Sequence, residues 1–367
     1  MNSDVVIVGG GVIGLTTAYE LAGRDVRVTL LDQGQPGREA SWAGAGILPP
    51  AKPGDPAHPL TAMCRATNEL WPDLSANLRE MTGIDNGFRR CGGLGIGSHS
   101  NPKVLREEIV AWQQAGAVVE TLSASDIAAC ESVINPNISE LYRLPELAQV
   151  RNPWHLKALL SACHQRGVDI RTGVCVTSFH RNGRTIAGVN TTHERLNAGT
   201  VVIAAGAWSQ ELLASAGCPL QIEPMRGQIV LLACPQRPFR HVIECGPRYL
   251  VPRDDGRVLI GSTEESVGFN KQNTAEGLRG LLSFAEELVP SLRDALFERA
   301  WAGLRPRTVN GMPYIGRLPG QESLFVAAGH FRAGLHLSPV TGRVVSQLIM
   351  GEPPIVDVSA LAPSTGG

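Results

Sequence analysis

Three glycines near the start of the chain stand at the spacing Gly9-x-Gly11-x-x-Gly14, and an acid, Asp32, follows a short way on. Each glycine answers a different need. Gly9 permits a tight turn, Gly11 lets the backbone approach a phosphate closely, and Gly14 lets a helix lie close against a strand. The free N–H groups at the start of that helix, on Val12, Ile13 and Gly14, carry a partial positive charge that suits a pyrophosphate. Asp32, with Gln33 beside it, is placed to accept hydrogen bonds from ribose hydroxyls, and its charge disfavours a 2′-phosphate. FAD or NAD therefore fits the loop better than NADP, and the loop by itself does not choose between the two.

Such a spacing has this meaning only inside the right elements. Val5-Val6-Ile7-Val8 is a β-branched run that reads as a buried strand, Leu15 to Ala22 has helical periodicity, and Val26 to Leu31 is a second strand ending at Asp32. The Gly/Ala/Pro-rich stretch 34–59 is long for a plain connection. Beyond it the pattern predicts helices over 61–81, 101–116, 123–131, 152–167 and 274–289. Strands are expected over 92–97, from 168, over 200–205 and over 324–328, with a hairpin over 173–191 and a strand-rich stretch over 223–263. Ser338 reads as an N-cap and Pro339 as the first residue of a helix running to Met350. Strands near both ends and in the middle feed glycine turns, with β-rich material between them. The expected class is α/β, α+β overall. A Rossmann-like FAD-binding domain is expected from residues 1–85, 146–220 and 300–367, with an inserted antiparallel-sheet substrate domain from 86–145 and 221–299.

The composition narrows the class further. The chain has 367 residues, 43% hydrophobic and 18% charged, which suits a large core and excludes a disordered chain. A net charge of −1 and the lack of a basic run give no pull toward nucleic acid or an anionic membrane. Eight cysteines without a C-x-x-C pair speak for reduced thiols in the cytoplasm, and against a metal site or a dense disulfide framework. No apolar stretch is long enough to span a bilayer, and no basic-then-apolar leader opens the chain.

Four further segments carry a family resemblance. Glu39-Ala40-Ser41-Trp42-Ala43-Gly44-Ala45-Gly46-Ile47-Leu48 resembles the flavin-contacting loop of the D-amino-acid oxidase superfamily. Val201-Val202-Ile203-Ala204-Ala205-Gly206-Ala207-Trp208-Ser209 resembles its second strand-turn at the cofactor. Trp301-Ala302-Gly303-Leu304-Arg305-Pro306, with Gly311-x-Pro313-Tyr314-Ile315-Gly316, is similar to its late active-site segment. Ala328-Gly329-His330-Phe331-Arg332-Ala333-Gly334 is similar to the loop that closes over the flavin ring. The segments follow one another in order over nearly the whole chain, and together they resemble the glycine oxidase branch, the amine oxidases of the thiamine pathway.

The resemblance implies non-covalent FAD, with oxidation of glycine or another small amine to an imine while oxygen becomes hydrogen peroxide. The imine then serves thiazole synthesis or hydrolyses to glyoxylate. Flavin contacts are implied for Ala40, Ser41, Ala45, Gly46 and Ile47, for the main chain of Val174 on the adenine side, and for Ala205, Gly206 and Trp208. Around the ring they are implied for His330, Phe331, Arg332, Ala333, Gly334 and Leu335, and the helix that follows would turn its positive end toward the site. Arg305 would bind the substrate carboxylate, since a guanidinium offers a planar bidentate partner. Tyr249 would share that carboxylate, and Arg332 would lie near flavin and substrate. No metal and no general base are expected, because orientation and the cofactor's own chemistry carry such an oxidation. His330 is not expected to act as a base. Trp42, Trp208 and Trp301 are expected to pack. The implied partners are a small amine and oxygen, without nucleic acid or membrane, and the resemblance implies a homo-oligomer.

The chain departs from the family at three points. Pro247 stands where members commonly have a histidine, Arg248 is a large charged neighbour to it, and Glu264 replaces an apolar methionine of some relatives. The amine is therefore open: an N-substituted glycine, sarcosine-like or an N-carboxymethyl amine, is one alternative. A flavin dehydrogenase with a protein electron acceptor is another.

Overall fold

The computed structural model describes residues 3–97, 102–138, 140–183 and 185–364. Its organising strand is Ser3–Val8, which pairs in parallel with Val28–Asp32 on one side and Arg195–Ile203 on the other. Asp169–Thr172 continues the first sheet beyond Val28–Asp32, and Leu324–Ala328 continues it beyond Arg195–Ile203. Such strands are continuously apolar because both faces are covered. Val5 and Ile7 pack with the helices Val12–Ala22, Pro59–Thr82, Asn152–Gln165 and Gly334–Met350, while Val6 and Val8 pack on the other side with Phe179, Val189 and Leu213.

The second sheet runs in the order Leu296–Thr308, Ile222–Ala233, Arg257–Gly261, Arg248–Pro252, Val242–Cys245, Gly93–Ile96, Leu141–Leu144, Glu120–Leu122. Its pairs are antiparallel except Val242–Cys245 with Gly93–Ile96, which are parallel, so the sheet is not purely antiparallel as expected. One face buries Val230, Leu232, Leu250 and Ile260 under the amphipathic helix Ala275–Leu288. The other presents Ile229, Leu231, Tyr249 and Val251.

Two elements differ from the sequence reading. Leu296–Thr308 is a strand paired along its length with Ile222–Ala233, so residues 300–308 stand in the second sheet rather than in the nucleotide-binding part. With that change, we propose the two-domain division given above. The last helix begins at Gly334 and passes through Pro339. Proline removes the N–H that would bond the carbonyl four residues back. That carbonyl belongs to Leu335, and the Ser338 hydroxyl donates to it instead at 2.8 Å. Ser338 thus mends the helix interior where the sequence read it as a cap.

Buried Arg253 fastens the second sheet to the flavin-loop segment. Its Nη1 donates to Gln149 Oε1 at 2.6 Å and to the Val150 carbonyl at 3.2 Å, and its Nη2 donates to the Ala45 carbonyl at 2.7 Å. Burial pushes its pKa down to about 10, which leaves it charged at neutral pH. All eight cysteines are free thiols. Among the described residues no helix is long and apolar enough to cross a membrane, and no group of His, Cys, Asp or Glu could hold a metal ion.

Among the described residues three histidines are buried: His155 against the Trp71 ring, His330 beside Thr341 and His336 beside Asn68. Burial pushes each pKa from 6.5 down to about 3. The unfolded chain therefore takes up protons below pH 6.5 that the folded chain refuses. The stability they contribute is complete above that pH and falls as the pH drops, by up to about 1.4 kcal/mol per pH unit for each histidine. Circular dichroism melts are expected to show the unfolding temperature dropping steeply between about pH 6 and pH 4. A level profile over that range would contradict neutral burial.

Candidate active site

A cavity of about 770 Å³ runs from the Gly9 turn of the first sheet to the face of the second that carries Ile229 and Tyr249. At its first end Gly9 sits at φ 108°, which an L side chain rarely adopts, and a Cβ at Gly14 would collide with the Gly9 carbonyl oxygen. The helix Val12–Ala22 receives no cap from its own N-cap residue. The Val12 N–H donates instead to Ser41 Oγ at 2.9 Å, which seats the 40–43 segment on the helix start. Asp32 accepts the Gly10 N–H at 2.8 Å and the Gly34 N–H at 2.7 Å, so it shapes the turn before it meets any ribose. Asn152 Oδ1 is buried without a partner and Asn152 lines the cavity. A glycine cradle, a helix start, an acid and a waiting acceptor fit the phosphates and ribose of a dinucleotide.

The cofactor residues expected from the sequence line this cavity, with two exceptions. Gly14 lies behind it, where it lets helix and strand touch. Ala333 also lies off it, as the N-cap of the last helix, its N–H donating to the His330 carbonyl at 2.9 Å. The Val174 N–H already donates to the Asp32 carbonyl at 2.9 Å, leaving its carbonyl for an adenine edge. His330 is buried and neutral, with Nε2 against Thr341 Oγ1 at 3.1 Å, an arrangement unsuited to a base. Gly334 and Leu335 bring the start of the last helix to the cavity wall. Trp42 and Trp301 meet edge to face at 5.2 Å, and Trp301 Nε1 donates to the Ala43 carbonyl at 3.1 Å, tying the flavin loop to the second sheet.

At the far end stand Tyr249, Arg305 and Arg332. The Arg305 guanidinium lies over Gly227 and the Tyr249 ring over Gly261, and a Cβ at either glycine would collide with them. Arg305 Nη2 donates to Ser262 Oγ at 2.5 Å and Nη1 to the Thr263 carbonyl at 3.2 Å, which leaves other N–H donors unused. Burial lowers its pKa, with Arg332 adding to the effect and Tyr249 and Glu264 opposing it. Arg332 is engaged differently from the expectation. Its Nε and Nη2 donate to Glu264 Oε2 at 3.2 and 2.5 Å and its Nη1 to the Pro247 carbonyl at 3.3 Å. Two of the three departures from the family pattern, Glu264 and Pro247, thus meet on one arginine.

Trp112, Asn152, Ser262 and Glu244 are among the lining residues not singled out in the sequence. Only Glu244 left a signal, as a lone acid in the apolar run Val242-Ile243-Glu244-Cys245.

Comparison with known proteins agrees with this geometry. The family model for FAD dependent oxidoreductases matches residues 4–348. Glycine oxidase of Pseudomonas putida is 37% identical over 99% of this chain and 99% of its own length. The crystal structure of glycine oxidase from Geobacillus kaustophilus superposes with a TM-score of 0.94 at 32% identity, covering 99% of this chain and 98% of that one. The crystal structure of iminodiacetate oxidase from Chelativorans sp. BNC1 does so with 0.88 at 26% identity, covering 98% of each.

A substitution at Gly14 tests the cradle. Gly14→Val is expected to purify without the yellow colour of bound flavin, because helix and strand must part. Gly280→Ala, on an open helix face, is expected to stay yellow. Equal flavin content in the two variants would rule out the cradle.

Proposed function

The chain belongs to the FAD dependent oxidoreductase family, and on that premise we propose that it is an amine oxidase acting on glycine. Glycine, oxygen and water would yield glyoxylate, ammonia and hydrogen peroxide by way of the imine, which would also be available for thiamine thiazole synthesis. The observation that carries this reading is Arg305, a guanidinium held in the cavity by Ser262 and Thr263 with donors to spare. A carboxylate is its natural planar partner.

FAD, when bound, supplies the acceptor for the electron pair of the substrate's Cα–H bond and passes that pair to oxygen. The protein's part is position and charge. The start of the helix Val12–Ala22 and the Gly9 turn would hold the pyrophosphate, and Asp32 the ribose. Arg305 would clamp the carboxylate, and Tyr249, lying beside it, would add its hydroxyl. That leaves the unprotonated amine and its Cα free to face the ring, an orientation effect worth several kcal/mol of barrier. The start of the last helix would stabilise negative charge on the reduced cofactor. Arg332, already paired with Glu264, would act by its charge unless that pair opens. We place the protein in the cytoplasm on its free thiols, and propose a homo-oligomer on the resemblance alone.

A second reading, an N-substituted glycine as substrate, is favoured by one observation: the cavity continues past Tyr249 to Glu244 and Trp112. It keeps every role above and adds room beyond the nitrogen.

Two measurements test the reading. Mixing the oxidised holoprotein with glycine without oxygen should bleach the flavin absorbance, and a spectrum that stays oxidised would remove glycine as substrate. Arg305→Ala should raise KM for glycine, by about 2–5 kcal/mol in binding terms. Unchanged kinetics in that variant would take the carboxylate away from Arg305.

A further inference from the structure

One row of residues crosses the second sheet. Register sets Trp301, Ile229, Gly261, Tyr249, Glu244, Gly95 and Tyr142 directly opposite one another on successive strands. Residues so paired share a face, and Ile229, Tyr249 and Glu244 line the cavity. The Tyr249 ring leans over Gly261, away from Glu244, while the Tyr142 ring lies over Gly95. Tyr142 is otherwise occupied. Trp112 Nε1 donates to its hydroxyl at 3.0 Å, and that hydroxyl donates to Glu108 Oε2 at 3.4 Å.

Glu244 has no such partner. Among the described residues no hydrogen bond or ion pair meets its carboxyl, although it lines the cavity. The charged groups that act on it are Arg332, which is paired with Glu264, and Glu108. Burial pushes its pKa up to about 7. A half-buried acid left unpaired in a cavity wall is costly in a folded chain, and a ligand group that meets it would offset that cost. Its position says which group. Arg305 is anchored at Ser262 and Thr263, at the end of Arg257–Gly261. The strand bearing Glu244 is two strands away, roughly 10 Å. Glycine with its carboxylate on Arg305 is too short to reach it, whereas a substituent on the nitrogen is not.

We propose that Glu244 is a specificity-determining residue: it receives a hydrogen-bond donor or cation at the end of the nitrogen substituent of an N-substituted glycine, and it turns away substituents that end in carboxylate. The inference rests on the reading that Arg305 holds the glycine carboxylate.

Three glycines of similar size test it at about pH 8: N-(2-aminoethyl)glycine, N-propylglycine and iminodiacetate. The holoenzyme should favour the aminoethyl compound over its propyl isostere by about tenfold in kcat/KM, the usual effect of a hydrogen bond to a charged group. Iminodiacetate should be the poorest of the three. Dissociation constants read from anaerobic perturbation of the flavin spectrum should follow the same order. Glu244→Gln should abolish the preference, Glu244→Asp should keep it, and Glu244→Lys should turn it toward iminodiacetate, each in protein that retains flavin and melts as the parent does. Aminoethyl-to-propyl ratios equal in parent and Glu244→Gln would overturn the proposal while leaving glycine oxidation standing. A holoenzyme that neither bleaches with nor binds glycine or any of the three would overturn both.

Discussion

The site depends on keeping two sheets at a fixed distance, and one buried guanidinium spans the gap between them. Arg253 leaves the end of a second-sheet strand and binds carbonyls of the flavin loop and of the segment before the helix Asn152–Gln165. Without it those acceptors would be buried and unpaired, each at about 1–3 kcal/mol. The Trp42–Trp301 contact and the Trp301 bond to Ala43 close the same gap farther along. The cavity between the sheets is therefore framed by directional bonds as well as by apolar packing, and directional bonds hold a bound ring at one angle.

Within that frame the second sheet makes room by omission. Gly227 and Gly261 carry no side chain, so a guanidinium and a phenol lie flat across the strands where Cβ atoms would otherwise stand. Flat placement gives Arg305 and Tyr249 few alternative rotamers, and restricted groups lose less freedom when a ligand arrives. The polar ends of both would then meet the proposed substrate from one side, with the cofactor half of the cavity opposite.

Much of this was legible in the sequence because it is local. The first strand, the glycine turn, the helix and Asp32 lie within one short stretch, and the helices over 59–82, 152–165 and 275–288 follow their apolar periodicity. Arg305, Tyr249 and the flavin loops could be named from resemblance, and they do line one cavity. What could not be read depends on partners far away along the chain or on the bond of a single side chain. The strand Leu296–Thr308 hides behind Arg299, Arg305 and Arg307 and a largely exposed start, and only its pairing with Ile222–Ala233 makes it a strand. Pro339 looked like a helix start because the Ser338 bond that repairs the interior is a side-chain detail. The pairing of Arg332 with Glu264 joins residues whose separation no pattern spans.

The order of strands in the first sheet has a consequence in time as well as in space. Ser3–Val8 is synthesised well before Arg195–Ile203, which pairs with one of its edges, and before Leu324–Ala328, that strand's own outer partner. Loop closure over such separations is slow, and an apolar strand with an open edge adheres to other chains while it waits. The growing polypeptide must keep Val5-Val6-Ile7-Val8 from such contacts until Arg195–Ile203 has been made. The nucleotide cradle that begins at Gly9 thus waits for partners synthesised long after it.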